Sequence, residues 1–236
     1  ELTSGGYIFE ELKSFLIKNN LINENWNGLN ILVQNASTVG LLDLKILQGK
    51  KEKSSSFFDD LKNRKFKLLY LLGSDNLEFQ KNDEFIVYQG SHGDRGAEIA
   101  DLILPSATYT EQNGLYENLE GRIQECKKAS YPIGEALEDW KIFNQIIKKL
   151  GSKDYKINFD ELRKEVLETA PNFSGINELP KKSVIKTNNI ETSFFSEKIF
   201  VRELDYYYTN SISRSSKTMS ECRQIRQKIK KDGTNN

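Results

Sequence analysis

The sequence holds two cysteines, Cys126 and Cys222, and one histidine, His92, among 236 residues. Two thiols cannot supply the four ligands of an iron–sulfur cluster, and one imidazole cannot complete a structural zinc site without many carboxylates. The chain is therefore expected to carry no metal of its own. The cysteines lie far apart and outside any CxxC spacing, which reads as two reduced thiols in a reducing compartment. An excess of one charge is missing as well, since 34 Lys+Arg balance 34 Asp+Glu. That disfavours a nucleic-acid grip built on bulk positive charge. No window approaches the ~18 uncharged apolar residues of a spanning helix. The chain opens on Glu1 with no recognisable signal, transit or lipidation motif, which reads as a removed leader or a piece of something longer.

What is present is polar. Charged residues make up 29% and AVILMFWYC 37%, so a modest core under a charged surface is expected, as one large domain or one domain with an appendage.

The segment from Tyr7 to Lys18 reads as an amphipathic helix with Ile8, Leu12, Phe15 and Leu16 at helical spacing, and the segment from Ser37 to Leu44 also reads helical. Lys67-Leu68-Leu69-Tyr70-Leu71-Leu72-Gly73 is a continuous apolar run of the kind buried on both faces of a parallel sheet. Glu84-Phe85-Ile86-Val87-Tyr88-Gln89-Gly90 repeats the pattern, and Leu102-Ile103-Leu104 stops at Pro105. Strand, glycine, polar connection and strand again predict an α/β fold: an open, mostly parallel sheet with flanking helices and right-handed crossovers. A helix is predicted from Pro132 to Leu150, with Glu135, Glu138 and Asp139 in its first turns. Its apolar stripe is Trp140, Phe143, Ile146, Ile147 and Leu150, and Gly151 closes it. A second, capped by Asn158 or Asp160, runs to about Thr169 before Pro171.

Beyond it the periodicity fades, and the division expected is an α/β domain over 1–172, a linker or extended arm over 173–200 and a docking segment over 201–236. Phe194, Phe195, Phe200 and the run Tyr206-Tyr207-Tyr208 are too apolar for a free tail. From Ser213 to Lys231 a helix carries Arg214, Lys217, Arg223, Arg226, Lys228, Lys230 and Lys231 against one acid, Glu221. Its two readings are a solvated helix end and contact with an acidic partner surface.

Local motifs for chemistry are weak. Gly90, Gly93 and Gly96 follow a strand, where backbone amides can approach a phosphate, but the spacing is not GxGxxG. His92 is the one candidate general base, with Asp94 or Glu98 to orient it. No GxSxG elbow supports a serine nucleophile.

The block Ala100-Asp101-Leu102-Ile103-Leu104-Pro105, Tyr109-Thr110-Glu111-Gln112-Asn113-Gly114, Asn118-Leu119-Glu120-Gly121-Arg122-Ile123-Gln124 is more specific. Glu111, Asn118 and Arg122 suit buried polar tethers of an irregular loop whose turns Gly114 and Gly121 permit. The block resembles the sheet-end segment of the molybdopterin oxidoreductase superfamily. Within it the likeness is to the family of large peripheral-arm subunits of respiratory complex I, the 75 kDa subunits of mitochondria. Further blocks carry it: Ala36-Ser37 with Leu42-Asp43-Leu44, Leu69 to Gly73, Tyr88-Gln89-Gly90 with His92-Gly93-Asp94, and Gly134-Glu135-Ala136 with Glu138-Asp139-Trp140-Lys141-Ile142. Tyr208-Thr209-Asn210-Ser211-Ile212-Ser213-Arg214 and Thr218-Met219 resemble the tail of the mitochondrial members. Regions 45–66 and 174–200 carry no such block.

The resemblance implies a non-catalytic, structural portion, the carboxyl-terminal part, of a proton-translocating NADH:ubiquinone reductase that passes electrons from NADH to quinone. No catalytic, cofactor-binding or metal-ligating residue is then expected on this chain. The iron–sulfur clusters would sit on an amino-terminal region or a partner chain. Partners would be other peripheral-arm subunits, including the cluster-bearing half and the NADH-binding module, with no nucleic acid. The place would be the matrix side of the mitochondrial inner membrane, or the cytoplasmic face of a bacterial one. A second reading is a degenerate molybdopterin-type oxidoreductase fragment holding a nucleotide or pterin at Gly90, Gly93 and Gly96. A third is an unrelated α/β enzyme using His92.

Overall fold

The computed structural model describes residues 6–33, 35–46, 57–74, 80–179 and 205–233. The predicted arm with Phe194, Phe195 and Phe200 falls outside the described residues, apart from 173–179 of the arm. The chain divides into two units, one of 1–47, 116–124 and 170–204, the other of 48–115, 125–169 and 205–236.

The second unit is built on a parallel sheet of β1 (Leu68–Leu72), β2 (Phe85–Gly90) and β3 (Leu102–Pro105), in that order. Leu69 pairs with Ile86 and Leu71 with Tyr88, while Gly90 pairs with Pro105 at the far end. Side chains alternate across the sheet. Leu69, Leu71, Ile86 and Tyr88 therefore share one face, packed with Leu61 of α3 (Phe57–Lys62) and with Ala97, Ile99 and Ala100 around the short α4 (Arg95–Glu98). On the other face Tyr70 stacks on Phe143 of α5 (Asp139–Lys149), ring centroids 5.5 Å apart.

The strand β2 is buried along most of its length. The β1 run, expected to be buried throughout, leaves Leu68 57% and Leu72 51% exposed. It pairs only with β2 among the described residues. Pro105 closes β3 without loss, because a proline lacking an N–H is tolerated on an outer strand. Parallel pairing continues past it through a bridge between Ser106 and Leu137.

That bridge explains why the predicted Pro132 helix starts late, at Asp139. Leu137 donates to Pro105 O at 3.2 Å and Ala107 donates to Leu137 O at 2.8 Å, so this stretch is extended. Gly134 before it is left-handed, φ 62°. Within α5 the buried residue is Ile142, whereas Leu150, assigned to the apolar stripe, is exposed. The helix closes as expected: Gly151, φ 77°, donates to Lys148 O, and Ser152 to Ile147 O, the paired bonds of a Schellman end. α6 (Phe159–Thr169) is capped by Asn158, whose Oδ1 takes the Glu161 N–H at 2.9 Å. Phe159 packs on Trp140, and Arg163 reaches Glu125 at 2.5 Å.

The tail is two helices, not one. α7 (Ser211–Ser215) opens on a capping box between Asn210 and Ser213 and breaks at Ser216, ψ 122°, before α8 (Lys217–Gly233). The break follows from the Ser216 hydroxyl, which takes the Met219 N–H at 3.3 Å and starts the second helix.

The first unit holds α1 (Gly6–Lys18), α2 (Thr38–Asp43) and a 3₁₀ turn, Pro171–Ser174. Phe15, placed on the α1 stripe, is exposed, while Ile22 and Phe173 are buried. The unit also contains the tip of the two-stranded ribbon formed by β4 (Gly114–Glu117) and β5 (Ile123–Cys126). Asn177 donates to Ile123 O at 2.7 Å and so ties the 3₁₀ segment to β5.

Candidate functional site

Three constellations at the carboxyl end of the sheet and in the ribbon were open to chemistry. The first is the glycine loop after β2. A Cβ at Gly90 would lie 2.4 Å from Tyr88 Oη and 2.6 Å from its Cζ, and one at Gly96 would lie 2.7 Å from Ser74 O and 3.0 Å from the same ring. The Tyr88 hydroxyl donates to His92 O at 2.6 Å. Gly90 and Gly96 thus make room for a buried phenol. Tyr88, and not a ligand, accounts for the absence of side chains at Gly90 and Gly96.

His92 is not met by either acid expected to orient it. Its Nδ1 lies 3.0 Å from Ser91 Oγ. The Asp94 carboxylate goes elsewhere, capping α4 through the Arg95 N–H at 2.9 Å and pairing with Arg214 of α7. Glu98 is exposed on α4.

The second constellation was not legible beforehand. Gln89, fully buried, takes a hydrogen bond from Tyr70 Oη and donates from Nε2 to Asp139 Oδ1 at 2.6 Å. Gln112 donates to Asp139 Oδ2 at 2.8 Å and to Ala107 O at 3.3 Å, and its Oε1 accepts the Asp139 N–H at 3.1 Å. Every polar atom of the two amides nearest the sheet end is thereby used on the fold itself. Burial, then the Asp139 charge, pushes the Tyr70 phenol above its ordinary range. Next to it the buried Glu138 carboxylate takes hydrogen bonds from Trp140 Nε1 at 2.8 Å, Lys141 at 3.2 Å and Lys128 at 3.3 Å. Burial alone would raise Glu138, but those donors outweigh it and hold the carboxyl below its ordinary range. This is scaffolding: a short polar spine that fixes α5 to the sheet.

Of the predicted loop tethers, Glu111 accepts the Thr108 N–H at 3.1 Å. Asn118 is exposed, yet its Oδ1 takes the Glu120 and Arg122 N–H groups at 3.0 and 2.9 Å. Arg122 enters that turn through its backbone. Gly121, φ 81°, makes the turn possible, whereas Gly114 simply opens β4. Three arginines of the tail contact the chain itself, while Lys217 and Lys228 are exposed. Arg223 pairs with Asp205 and lies 4.5 Å over Tyr208, and Arg226 lies 5.6 and 5.9 Å over Tyr206 and Tyr207. The tyrosine run, too apolar for a free tail, is thus partly covered by its own helix.

The third constellation lies wholly in the first unit. Glu117, only 7% exposed, sits at the end of β4 on the wall of a cleft of about 360 Å³. Its Oε2 has no hydrogen-bond partner among the described residues. Burial pushes its carboxyl up to about 7, and the charge and hydrogen bond of Asp43 add to this. Between the ordinary carboxylate range and pH 7 the folded chain therefore holds a proton that the unfolded chain releases. Stability contributed here is greatest at low pH and falls as pH rises through that window. Glu117→Gln should abolish the fall and stabilise the chain by about 2 kcal/mol at pH 8 with little effect at pH 4.5. Urea denaturation at both pH values checks this.

Among the described residues no three His, Cys, Asp or Glu side chains are placed to hold a metal ion, and no helix is long and apolar enough to cross a membrane.

A filled glycine loop and an inward-bonded sheet end describe an α/β scaffold, and comparison with known proteins places it. The molybdopterin oxidoreductase family model matches residues 2–149, and the chain belongs to that family. The model for the carboxyl-terminal part of the NADH-ubiquinone oxidoreductase G subunit matches 170–222. Together they run through 45–66 and 174–200, where the motifs had shown no likeness. Among relatives, the chain is 38% identical over 226 residues to the NADH-ubiquinone oxidoreductase 75 kDa subunit of Reclinomonas americana, covering 94% of this chain and 32% of that protein. It is 36% identical over 230 residues to the NADH-quinone oxidoreductase G subunit of Rickettsia bellii, covering 97% and 32%. It is 36% identical over 228 residues to the mitochondrial NADH-ubiquinone oxidoreductase 78 kDa subunit of Neurospora crassa, covering 91% and 29%. The chain spans about a third of the length of these relatives.

Proposed function

We propose that this chain is a structural, non-catalytic portion of the peripheral arm of a proton-pumping NADH:quinone oxidoreductase, supporting electron transfer from NADH to quinone without carrying electrons itself. The observation that carries the reading is similarity to subunits of that name across 91–97% of the chain. The two-cysteine, one-histidine composition supports it. So do the buried amides and carboxylates at the sheet end, which spend their hydrogen bonds on the fold. The iron–sulfur clusters belong, in this reading, to an amino-terminal region or partner chain. Residues 1–172 serve as the α/β domain and 201–236 as a docking segment. The partners are the cluster-bearing half, the NADH-binding module and other arm subunits, on the matrix side of the mitochondrial inner membrane.

Anaerobic purification followed by iron, acid-labile sulfide and pterin determination tests the non-catalytic part. Less than a tenth of an equivalent of each is expected, on the order of background. Stoichiometric iron–sulfur absorbance or released pterin would overturn it.

A further inference from the structure

The outer edge of β1 is used by neither the scaffold nor the proposed function. At the start of this strand Lys67 O accepts the Phe85 N–H at 2.9 Å, and just past its end Gly73 donates to Gln89 O at 2.8 Å. In a parallel pair alternate residues turn both backbone groups to the neighbour. Residues 67, 69, 71 and 73 therefore face β2, while the N–H and C=O of Leu68, Tyr70 and Leu72 face outward. Among the described residues no strand lies beyond them. The edge carries none of the usual guards: its five residues are uncharged, with no proline and no break in register, and Leu68 and Leu72 are more than half exposed. The opposite edge is guarded. There β3 has four residues, ends on Pro105 and is carried on by the bridge between Ser106 and Leu137.

We propose that the β1 edge receives an apolar strand, parallel to β1, from the polypeptide that makes up the remaining two-thirds or so of its relatives' length. A row of outward N–H and C=O groups at strand spacing is matched by another extended main chain. The parallel sense follows from the sheet, since all-parallel sheets are buried on both faces, and exposed Leu68 and Leu72 call for a neighbour without charge on either face. A second copy of the chain fits less well, because a two-fold axis at this edge would run β1 antiparallel to itself. The open edge stands on the sheet alone; the source of the strand rests on the proposed function.

The test is amide hydrogen exchange, resolved by residue, of the full chain alone and of the chain in its purified native assembly. Alone, Leu68, Tyr70 and Leu72 are expected to exchange about ten-fold or more faster than Leu69 and Leu71, whose N–H groups β2 holds, and in the assembly the three should slow to match. Three amides that stay fast in the assembly overturn the strand, and so do three that are already slow in the chain alone. Leu72→Pro removes an outward N–H and no bond to β2, so the chain should still fold. It should weaken retention in the assembly about ten-fold more than Leu72→Ala, which keeps the N–H. Equal effects of the two would mean side-chain packing without a strand, and overturn it. A photo-crosslinker at Leu68 identifies the source. Crosslinks to an apolar segment of the polypeptide that matches the rest of the relatives' length support the proposal. Crosslinks to a second copy or to residues 1–236 of the same chain overturn it. A chain that joins no such assembly overturns the proposed function and with it the source of the strand, whereas an assembled chain with fast outward amides overturns the strand alone.

Discussion

Replacing Gly90 by alanine is expected to destabilise the chain by about 3 kcal/mol, the scale of overpacking a filled core. The new methyl would stand 2.4 Å from Tyr88 Oη. The ring cannot swing away, because it is 2% exposed, packed against Leu61, Leu71 and Ile86, and fixed at its hydroxyl by His92 O. Gly96→Ala should behave similarly, since its Cβ meets a backbone carbonyl as well as the ring. Gly93→Ala is the control: its nearest neighbour would be Ala97 Cβ at 3.6 Å, an ordinary contact. It should stay within about 0.5 kcal/mol of the parent. Urea denaturation of the three variants separates the two uses of such a loop. A phosphate cradle would lose ligand affinity with each substitution and stability with none.

Asp139→Ala should cost a similar amount, about 3 kcal/mol, because it strands the Gln89 and Gln112 amides. Gln89 has no exposed surface, so water cannot replace the lost acceptor. Asp139→Asn keeps the shape but offers one oxygen in place of two, and should recover roughly half of the loss. It also removes a charge near Tyr70. Ultraviolet titration should find the Tyr70 phenol lower in Asp139→Asn than in the parent, since the Asp139 charge is the second cause, after burial, of its elevation. An unchanged Tyr70 would show that burial alone sets it.

These two sites divide what the sequence made legible from what it did not. The sheet was readable, because 67–73 and 84–90 are apolar runs that end at glycine, and a strand's signal is local. The Asn158 cap and Gly151 end were readable for the same reason. The start of α5 was not: the acids at 135, 138 and 139 mimic a helical first turn, while the bridge that holds Leu137 extended comes from Ser106, far away in sequence. The Gln89–Asp139 bond spans 50 residues and leaves no local trace. The glycine loop was visible as a loop, but only the packed Tyr88 shows what its glycines are for. Glu117 sits in an alternating Gly114-Leu115-Tyr116-Glu117 strand on the same side as Leu115, the one hint that this acid faces inward. The tail's basic bias was legible in its residues, but not that Arg214, Arg223 and Arg226 turn to Asp94, Asp205 and the tyrosine run.

The central claim is that this chain works only as a part of a larger electron-transfer assembly. Native electrophoresis of membranes, with mass spectrometry of every band containing the chain, tests it most directly. The account predicts co-migration with cluster-bearing and NADH-oxidising subunits in a band that reduces a dye with NADH. Migration of the chain alone, away from every NADH-oxidising band, would contradict it.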